Sequence, residues 1–258
     1  MTTYTQAKPA GTPTWLDLTS PDSESARKFY NAILGWEYDI GAPEFGGYTT
    51  ARLGSRSTVG IVGDHPDNVT QPSSWLLYFA THQIEADVAR AVTLGAKVLS
   101  PVMVVGQFGS MAICEDPTGA KFGLWQADHH IGFQVSDEPG SAAWYELYST
   151  NAQLACDFYT ALLSATADPM PGELEYYVLK HGDAMLGGIM QILPAWGPMP
   201  SQWVTYFAVA NIEETASMAA SLGSKITRDV EESPFGRLAT LTDPAGAMFK
   251  LLQPPAIP

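Results

Sequence analysis

The sequence has little positive charge and no long apolar run. Its 258 residues contain 13 lysines and arginines against 27 aspartates and glutamates, which gives a net charge of −14. Such an acidic chain is a poor match for nucleic acid or for an anionic membrane surface, because both repel it. No apolar stretch approaches the length that spans a bilayer. We therefore expect neither nucleic-acid nor membrane partners.

Cysteine and histidine are also scarce. The two cysteines, Cys114 and Cys156, are too few for a disulfide framework or a cysteine-rich metal cluster, and their surroundings predict buried side chains. The first dozen residues lack the apolar core of a signal peptide, so we expect a cytoplasmic protein with a flexible segment at residues 1–12. The five histidines lie apart in loops, turns and strand ends, which predicts exposed side chains and no metal site: His65, His82, His129, His130 and His181.

What the sequence does contain is a long internal duplication. The stretch CEDPTGAKFGLWQ, which ends at Gln126, returns as LTDPAGAMFKLLQ, which ends at Gln253. Likewise, WLDLTSPDSESARKFYNAILG from Trp15 matches WYELYSTNAQLACDFYTALLS from Trp144. The offset stays at roughly 128 residues, as in a tandem repeat. We predict a first domain over residues 13–127, a linker over residues 128–140 and a second domain over residues 141–254.

Each copy shows the same succession of elements. Asp22 is suited to cap a helix whose apolar residues follow at helical spacing up to Gly35, and a second helix is predicted between Ile84 and Gly95. Alternating apolar runs predict strands before and after each helix. The second copy repeats this pattern, with helices near residues 151–163 and 212–222. The chain is therefore predicted to contain four strand–helix–strand–strand–strand (βαβββ) units.

These motifs resemble the vicinal oxygen chelate superfamily, which includes glyoxalase I, bleomycin-resistance proteins, fosfomycin-resistance enzymes and extradiol dioxygenases. The resemblance rests on the strand-to-helix pattern LTSPDSESARKFYNAILGW and on the late DPxGxxF hairpin, which occur in both copies. Within the superfamily the chain is most similar to tandem-domain actinobacterial proteins labelled glyoxalase-like or hydroxylase. The resemblance implies an α+β fold of two tandem glyoxalase-like domains. In each, two βαβββ units form a cupped, mostly antiparallel sheet with outer helices and an inner ligand cleft.

Period-two alternation indicates which side chains enter each cleft. In the first strand of the first copy, Trp15 and Asp17 alternate with leucines, and Trp144 and Glu146 take the same places in the second copy. We therefore expect these four side chains on the face opposite the helices. The same alternation and the repeat itself add the remaining candidates for ligand contact, which are Gly123, Lys250, Tyr78, Trp125, Tyr206 and Arg237.

The resemblance also implies what metal-dependent relatives carry in the cleft, namely His or Gln on the first strand and Glu on the last. The matching residues here are Trp15 and Gly123 in the first copy and Trp144 and Lys250 in the second. Metal sites of this kind need His, Asp, Glu or Cys donors. We therefore expect no metal and no other cofactor.

Three functions remain open. The first is metal-free binding of an aromatic or cationic small molecule in a Trp-lined cleft, as in bleomycin-resistance-like proteins, because indole faces stack planar groups and attract cations. The second is a metal-independent lyase, isomerase or oxygenation-related tailoring enzyme of secondary metabolism, with Asp17 or Glu146 as acid or base beside Lys250. The third is a metal-dependent glyoxalase or dioxygenase. The sequence is compatible with a monomer or a homodimer.

Overall fold

The structure is a computed structural model that describes residues 2–42, 46–62 and 72–255. His65 lies outside these residues. Up to residue 127 the elements are β1 (Thr2–Thr3), β2 (Pro13–Thr19), α1 (Ser23–Leu34), β3 (Glu37–Ile40), β4 (Thr49–Leu53), β5 (Arg56–Val62), β6 (Ser74–Ala80), α2 (Ile84–Thr93), β7 (Lys97–Val105), β8 (Gly109–Glu115) and β9 (Lys121–Ala127). They are followed by β10 (Val135–Ser136), β11 (Ala142–Ser149), α3 (Ala152–Leu163), β12 (Thr166–Pro169), β13 (Tyr176–His181), β14 (Ala184–Gln191), a 3-10 turn (Pro194–Trp196), β15 (Gln202–Ala208), α4 (Ile212–Ser221), β16 (Lys225–Ser233), β17 (Gly236–Thr242) and β18 (Met248–Gln253).

Sixteen of the described strands form two eight-stranded sheets in which equivalent strands have the same order, and β1 and β10 form a separate pair. The first sheet runs β3-β4-β5-β2-β6-β9-β8-β7, and the second runs β12-β13-β14-β11-β15-β18-β17-β16. Strand β2 is parallel to β5 and antiparallel to β6, and β11 has the same relation to β14 and β15. Each half-sheet is thus one βαβββ unit. The tandem α+β fold expected from the sequence is confirmed.

Capping residues fix the first helix of each domain. Helix α1 begins after Asp22, whose carboxylate accepts a hydrogen bond from the backbone N–H of Ser25 at 2.9 Å. It ends at Gly35, whose φ of 72° lies in the left-handed region that glycine adopts readily. Helix α3 begins in the same way after Asn151 but ends at Ser164, a non-glycine residue with φ of 53°. The polar cap is therefore the feature that both copies share.

The two domains pack through their helix-bearing sides. Tyr30 of α1 donates a hydrogen bond to Asp243 at 3.2 Å, and Tyr159 of α3 donates one to Asp116 at 2.9 Å. Each aspartate also accepts hydrogen bonds from two backbone N–H groups of its own turn. Because each domain's first helix reaches the last hairpin of the other domain, the duplicated Asp-Pro-x-Gly motif is part of the domain interface.

The glutamine that closes both copies has a structural role as well. The side-chain oxygen of Gln126 accepts a hydrogen bond from the backbone N–H of Ile84 at 3.0 Å, and Gln253 does the same for Ile212 at 2.9 Å. The first N–H groups of a helix have no partner within the helix. Each glutamine therefore supplies a cap to the second helix of its own domain.

Residues 2–12 form an ordered strap across the junction of the domains. Strand β1 pairs with β10 of the connector, with Thr2 opposite Ser136. Farther along, Gly11 donates a backbone hydrogen bond to Ala80, which in turn donates to Thr12, both at 2.8 Å. In the part of this segment that the structure describes, which the sequence predicts to be flexible, backbone groups pair with the connector and with β6.

Two further expectations concern composition. Cys114 and Cys156 are free and buried, as predicted. Within the described ranges, no helix is both long and apolar enough to cross a bilayer.

Candidate functional site

We call the sheet face opposite the helices the first cleft in the first domain and the second cleft in the second. In the first cleft, Asp17 is 8% exposed and lies on the central strand β2. Its Oδ1 accepts hydrogen bonds from the Trp15 indole at 3.0 Å and from the Tyr48 hydroxyl at 2.6 Å. Burial raises the pKa of Asp17, while the hydrogen bonds from Tyr48, Tyr78 and Trp15 oppose that shift. The carboxyl group is thus held by three neutral donors.

An aromatic ring fills the space beside Gly123. A Cβ atom added to Gly123 would lie 2.1 Å from Cδ1 of Tyr78, a residue that is only 3% exposed. A Cβ atom on Gly60 would meet the Tyr48 hydroxyl at 1.9 Å and Asp17 Oδ1 at 2.2 Å. Only glycine allows both close approaches. At the position where metal-dependent relatives carry Glu, this cleft is therefore packed by Tyr78.

The connector contributes His130 to the same cleft. Its ring centroid lies 4.3 Å from that of Trp15 and 5.4 Å from that of Trp125, and its carbonyl accepts a hydrogen bond from the Trp125 indole at 2.9 Å. Burial lowers the pKa of His130 to about 4. The prediction of exposed histidines is wrong for His130, because the connector folds back over the sheet. It is confirmed for three others, which are His82, His129 and His181.

The second cleft is built around a buried ion pair. Lys250 Nζ lies 2.9 Å from Glu146 Oε2, and the two side chains are 7% and 5% exposed. The ammonium also donates a hydrogen bond to the Tyr206 hydroxyl oxygen at 2.6 Å, and that hydroxyl donates to Glu146 Oε2 at 2.6 Å. We call Glu146, Tyr206 and Lys250 the polar triad. Each member forms a hydrogen bond with the other two, and these bonds offset part of the free-energy cost of burying both charges.

The triad contains the hydroxyl of Tyr206, and the hydroxyls of Tyr148 and Tyr176 lie close to it. Burial, and then the charge of Glu146, raise the pKa of Tyr206 far above its ordinary value, and the same two causes raise the pKa of Tyr148 and of Tyr176. These hydroxyls therefore stay protonated near neutral pH. The Lys250 ammonium also lies 5.1 Å from the ring centroid of Tyr148, within the range of a cation–π contact.

Apolar and aromatic side chains cover the triad and reach the protein surface. The Trp144 indole donates to the Tyr176 hydroxyl at 3.1 Å, and the guanidinium of Arg228 lies 5.4 Å from the ring centroid of Trp196. Trp196 itself packs 5.6 Å from Tyr148, centroid to centroid. The remaining contacts form one cluster, with Tyr148, Met190, Ile192 and Val204 buried and Tyr176, Trp196, Met199 and Met248 half-buried.

The structure brings most of the candidate residues together as two groups. Arg237 is the exception, since its guanidinium forms ion pairs with Glu213 in the first turn of α4 and with Glu232. Its expected place near the second cleft is therefore corrected, because the side chain extends toward the helix-bearing side of the sheet. The first group is Trp15, Asp17, Tyr78, Gly123 and Trp125, and the second is Trp144, Glu146, Tyr206 and Lys250.

Sequence reasoning missed several cleft residues. Tyr48 and Tyr176 could have been found, because the repeat aligns GGYTTARLG with LEYYVLKHG and places the two tyrosines in one column. Both hydroxyls bond to the indole at the start of the central strand, at 2.8 and 3.1 Å. His130, Trp196 and Arg228 carry no comparable signal, since their places depend on how loops and strand ends fold over the sheet.

The residues at the metal positions do not fit a metal. Indole rings stand at two of these positions, and the other two hold a glycine covered by Tyr78 and the ammonium of Lys250. Neither an indole nor an ammonium offers a lone pair to a cation. Among the described residues, no group of three or more His, Cys, Asp or Glu side chains could hold a metal ion.

Comparison with known proteins agrees with this architecture. Residues 14–125 match the model of a glyoxalase-like domain, and residues 129–251 match that of the glyoxalase/bleomycin resistance protein/dioxygenase superfamily. In overall fold the chain is similar to the Mn(II)-bound glyoxalase from Novosphingobium aromaticivorans, with a TM-score of 0.65 and 15% identity over 95% of this chain and 82% of that one.

Two relatives match along nearly their whole length. "Putative glyoxylase CFP32" of Mycobacterium tuberculosis is 38% identical over 250 residues, which cover 95% of each chain. "Anthracycline biosynthesis protein DnrV" of Streptomyces peucetius is 32% identical over 257 residues, covering 94% of this chain and 93% of the relative. With its repeated βαβββ units and these full-length relatives, the chain belongs to the glyoxalase/bleomycin resistance/dioxygenase superfamily, as a tandem of two such domains.

Proposed function

We propose that the protein binds a planar aromatic small molecule in the second cleft without a metal ion. The observation that carries this proposal is the polar triad, which lies buried beneath half-buried aromatic and methionine side chains. Small-molecule sites typically combine an apolar wall with a few fixed polar groups. The second cleft has both, and its half-buried rim leaves the wall accessible.

The chemistry of the wall favours a flat, aromatic ligand. The half-buried rings of Tyr176 and Trp196 offer faces for stacking, and methionine side chains adapt to the outline of a ligand. The Lys250 ammonium and the Tyr206 hydroxyl would hydrogen-bond a carbonyl or phenol oxygen at the ligand's inner edge. A cationic ligand is less favoured, because the Arg228 guanidinium already lies against Trp196.

The names of relatives support the same ligand class. DnrV is named as an anthracycline biosynthesis protein, and anthracyclines are polycyclic and aromatic. The match extends over 94% of this chain and therefore over both domains, so the proposal does not depend on similarity in one segment. It concerns the class of ligand and leaves the particular compound open.

A second candidate function is metal-independent catalysis by the same triad. The Tyr206 hydroxyl donates a hydrogen bond to Glu146 across 2.6 Å, and the Lys250 ammonium lies beside both groups. A substrate that displaced one of these contacts would face an acid and a base at hydrogen-bond distance. Of the two carboxylates considered as acid or base, Glu146 is favoured, since Asp17 is enclosed by indole and phenol donors.

A binding experiment with 1,8-dihydroxyanthraquinone as the probe tests the proposal. Calorimetry and quenching of tryptophan fluorescence would be measured on the wild type, on the double variant Glu146→Gln/Lys250→Met and on Asp17→Asn. We expect at least about tenfold weaker binding in the double variant, which corresponds to about 1.4 kcal/mol, and less than about twofold change for Asp17→Asn. Equal losses in both variants, or no binding by the wild type, would contradict the proposal.

Two further readouts separate the alternatives. Elemental analysis of untagged protein should give no stoichiometric transition metal, and one tightly held ion per domain would overturn the metal-free part of the proposal. Chromatography of the probe after long incubation distinguishes binding from catalysis. A binder returns the probe unchanged, whereas an enzyme converts it and loses that conversion, with binding largely kept, in Glu146→Gln.

A further inference from the structure

A second cavity lies between the N-terminal strap and the second domain. Its volume is about 500 Å³, several times that of a small aromatic acid. Residues of the strap form one wall, and β10, β11 and β14 form the other. The lining residues that matter here are Tyr4, Lys8, Asp137, Trp144, Tyr145 and Met185.

Lys8 is the unusual member of this lining. It is half-buried, and its ammonium lies 4.1 Å from the ring centroid of Tyr4 and 4.8 Å from that of Phe133. Among the described residues, its ammonium has no ion-pair partner within 4.0 Å, and Asp137 is the carboxylate whose charge acts on it from farther away. A partly desolvated ammonium that has only aromatic faces for support can still form its three hydrogen bonds.

We propose that this cavity binds a small aromatic carboxylic acid, with the carboxylate on Lys8 and the ring against Trp144 and Met185 of the opposite wall. The charge of Lys8 selects the anion, and the aromatic and methionine side chains of the opposite wall select the ring. The site is separate from the polar triad of the second cleft. Trp144 is shared, since its ring lines the cavity while its N–H bonds to Tyr176.

The electrostatic environment of Lys8 gives this site a pH signature. Burial lowers the pKa of Lys8 to about 8, and the carboxylate of Asp137 partly opposes that shift. The other ionisable groups facing it are the hydroxyls of Tyr4 and Tyr145, and burial raises the pKa of Tyr145 well above its ordinary value. Asp137 accepts hydrogen bonds from Ser136 at 2.6 Å and from Thr2 at 3.4 Å, so it is held by the strap and by the connector.

The direction of the pH effect follows from charge. Below its pKa Lys8 is cationic and attracts a carboxylate, and above its pKa the amine is neutral. A bound carboxylate raises the pKa of Lys8, so affinity should be constant below about pH 8 and fall above it, by up to tenfold per pH unit.

Titration calorimetry with 2-naphthoate tests the proposal, with 2-naphthamide as the uncharged probe of the same shape. We expect wild-type affinity for naphthoate to fall at least tenfold between pH 7.5 and 9.5, and affinity for naphthamide to stay constant. Lys8→Met should lose at least tenfold in naphthoate affinity at pH 7.5, while Lys8→Arg should stay within about threefold. Lys28→Met, which removes an exposed lysine paired with Glu24, is the control and should bind as the wild type does.

Several results would overturn the proposal. These are no naphthoate binding at millimolar concentration, equal affinity for the amide, or full affinity in Lys8→Met. If Lys8→Met does not fold, two other measurements test the proposal: the pH dependence of naphthoate affinity in the wild type, and the naphthoate affinity of Lys8→Arg. The double variant Glu146→Gln/Lys250→Met should keep naphthoate binding, so failure of this site and failure of the second cleft are distinguishable.

Discussion

The first and second clefts occupy the same place on two sheets of equal strand order, but their side chains differ in kind. The first is filled mainly by aromatic rings, and the second contains a buried ion pair. In the first, Tyr78 lies over Gly123 and the connector inserts His130 between two tryptophans. In the second, Lys250 takes the place of that glycine and pairs with Glu146 under half-buried rings. Duplication thus allows one copy to be packed with aromatic rings while the other keeps a buried ion pair.

The two clefts also differ in how they treat a buried carboxylate. Asp17 is held by neutral donors, whereas Glu146 has a cation at 2.9 Å. The ion pair of the second cleft requires both partners, because loss of one leaves a buried charge without its counter-ion. The following changes, ordered from the largest expected effect to the smallest, test this contrast.

The largest effect is expected from Lys250→Met. The substitution leaves Glu146 buried without its cation, so the free energy of unfolding should fall by about 3–5 kcal/mol. The double variant Glu146→Gln/Lys250→Met removes both charges and should recover most of that loss. Urea unfolding followed by circular dichroism measures both. A single variant as stable as the wild type would show that the ion pair is not structurally required.

The next effect concerns Gly123 and Gly188, two glycines where a tyrosine side chain lies too close for a Cβ atom. Gly123→Ala forces the 3%-exposed Tyr78 to move, and overpacking of this kind costs about 1–3 kcal/mol. Gly188→Ala meets the half-buried Tyr176 hydroxyl at 1.9 Å. Gly188 lies beside Glu146 as Gly60 lies beside Asp17 in the first domain. Because Tyr176 is half-buried whereas Tyr78 is buried, this change should cost less than Gly123→Ala. Thermal unfolding compares the two variants, and a greater cost at Gly188 would mean that the first cleft is the looser one.

A pH-dependent effect is expected from His130. Because the folded state lowers its pKa to about 4, the unfolded chain takes up a proton first as the pH falls below about 6.5, and folding loses stability down to about pH 4. Between pH 7 and pH 5 the wild type should lose about 2 kcal/mol more than His130→Phe, which keeps a ring between the tryptophans. Chemical denaturation at both pH values measures this loss.

The neighbouring residue provides the control for that experiment. His129 is exposed, so His129→Phe should follow the pH dependence of the wild type. If His130→Phe also follows it, the histidine is not enclosed in the first cleft.

The smallest effect is expected from Asp17→Asn. The amide oxygen can still accept from Trp15 and Tyr48, so stability near pH 7 should change by less than about 1 kcal/mol. Because the folded state raises the pKa of Asp17, the wild type loses stability as the pH rises from about 4 through the raised pKa. The difference should therefore move in favour of Asp17→Asn between pH 4 and pH 8. A shift in favour of the wild type would contradict the assigned direction.

Much of the scaffold could be predicted from the sequence. The caps at Asp22 and Gly35, the tandem repeat and the inward alternation of Trp15 with Asp17 follow from local chemistry and period-two geometry. These features depend on neighbouring residues, so a single sequence contains them. The Asp-Pro-x-Gly motif was visible too, but its contact with a tyrosine of the other domain was not.

The state of each cleft was beyond sequence reasoning. Tertiary packing decides three features: Tyr78 fills the space beside Gly123, the connector folds back over the first sheet, and the Arg237 side chain extends toward the helices. The N-terminal strap is a similar case, since its order comes from pairing with a connector more than a hundred residues away. Long-range pairing of this kind leaves no local pattern.

The most direct test of the contrast is a crystal structure of the protein with 1,8-dihydroxyanthraquinone. We predict electron density for the planar probe in the second cleft, against the rings of Tyr176 and Trp196, with an oxygen within hydrogen-bond distance of Lys250 Nζ or the Tyr206 hydroxyl. The first cleft should keep Tyr78 over Gly123 and His130 between its tryptophans. Density for the probe in the first cleft, with the second cleft unchanged, would contradict the assignment of function to the second domain.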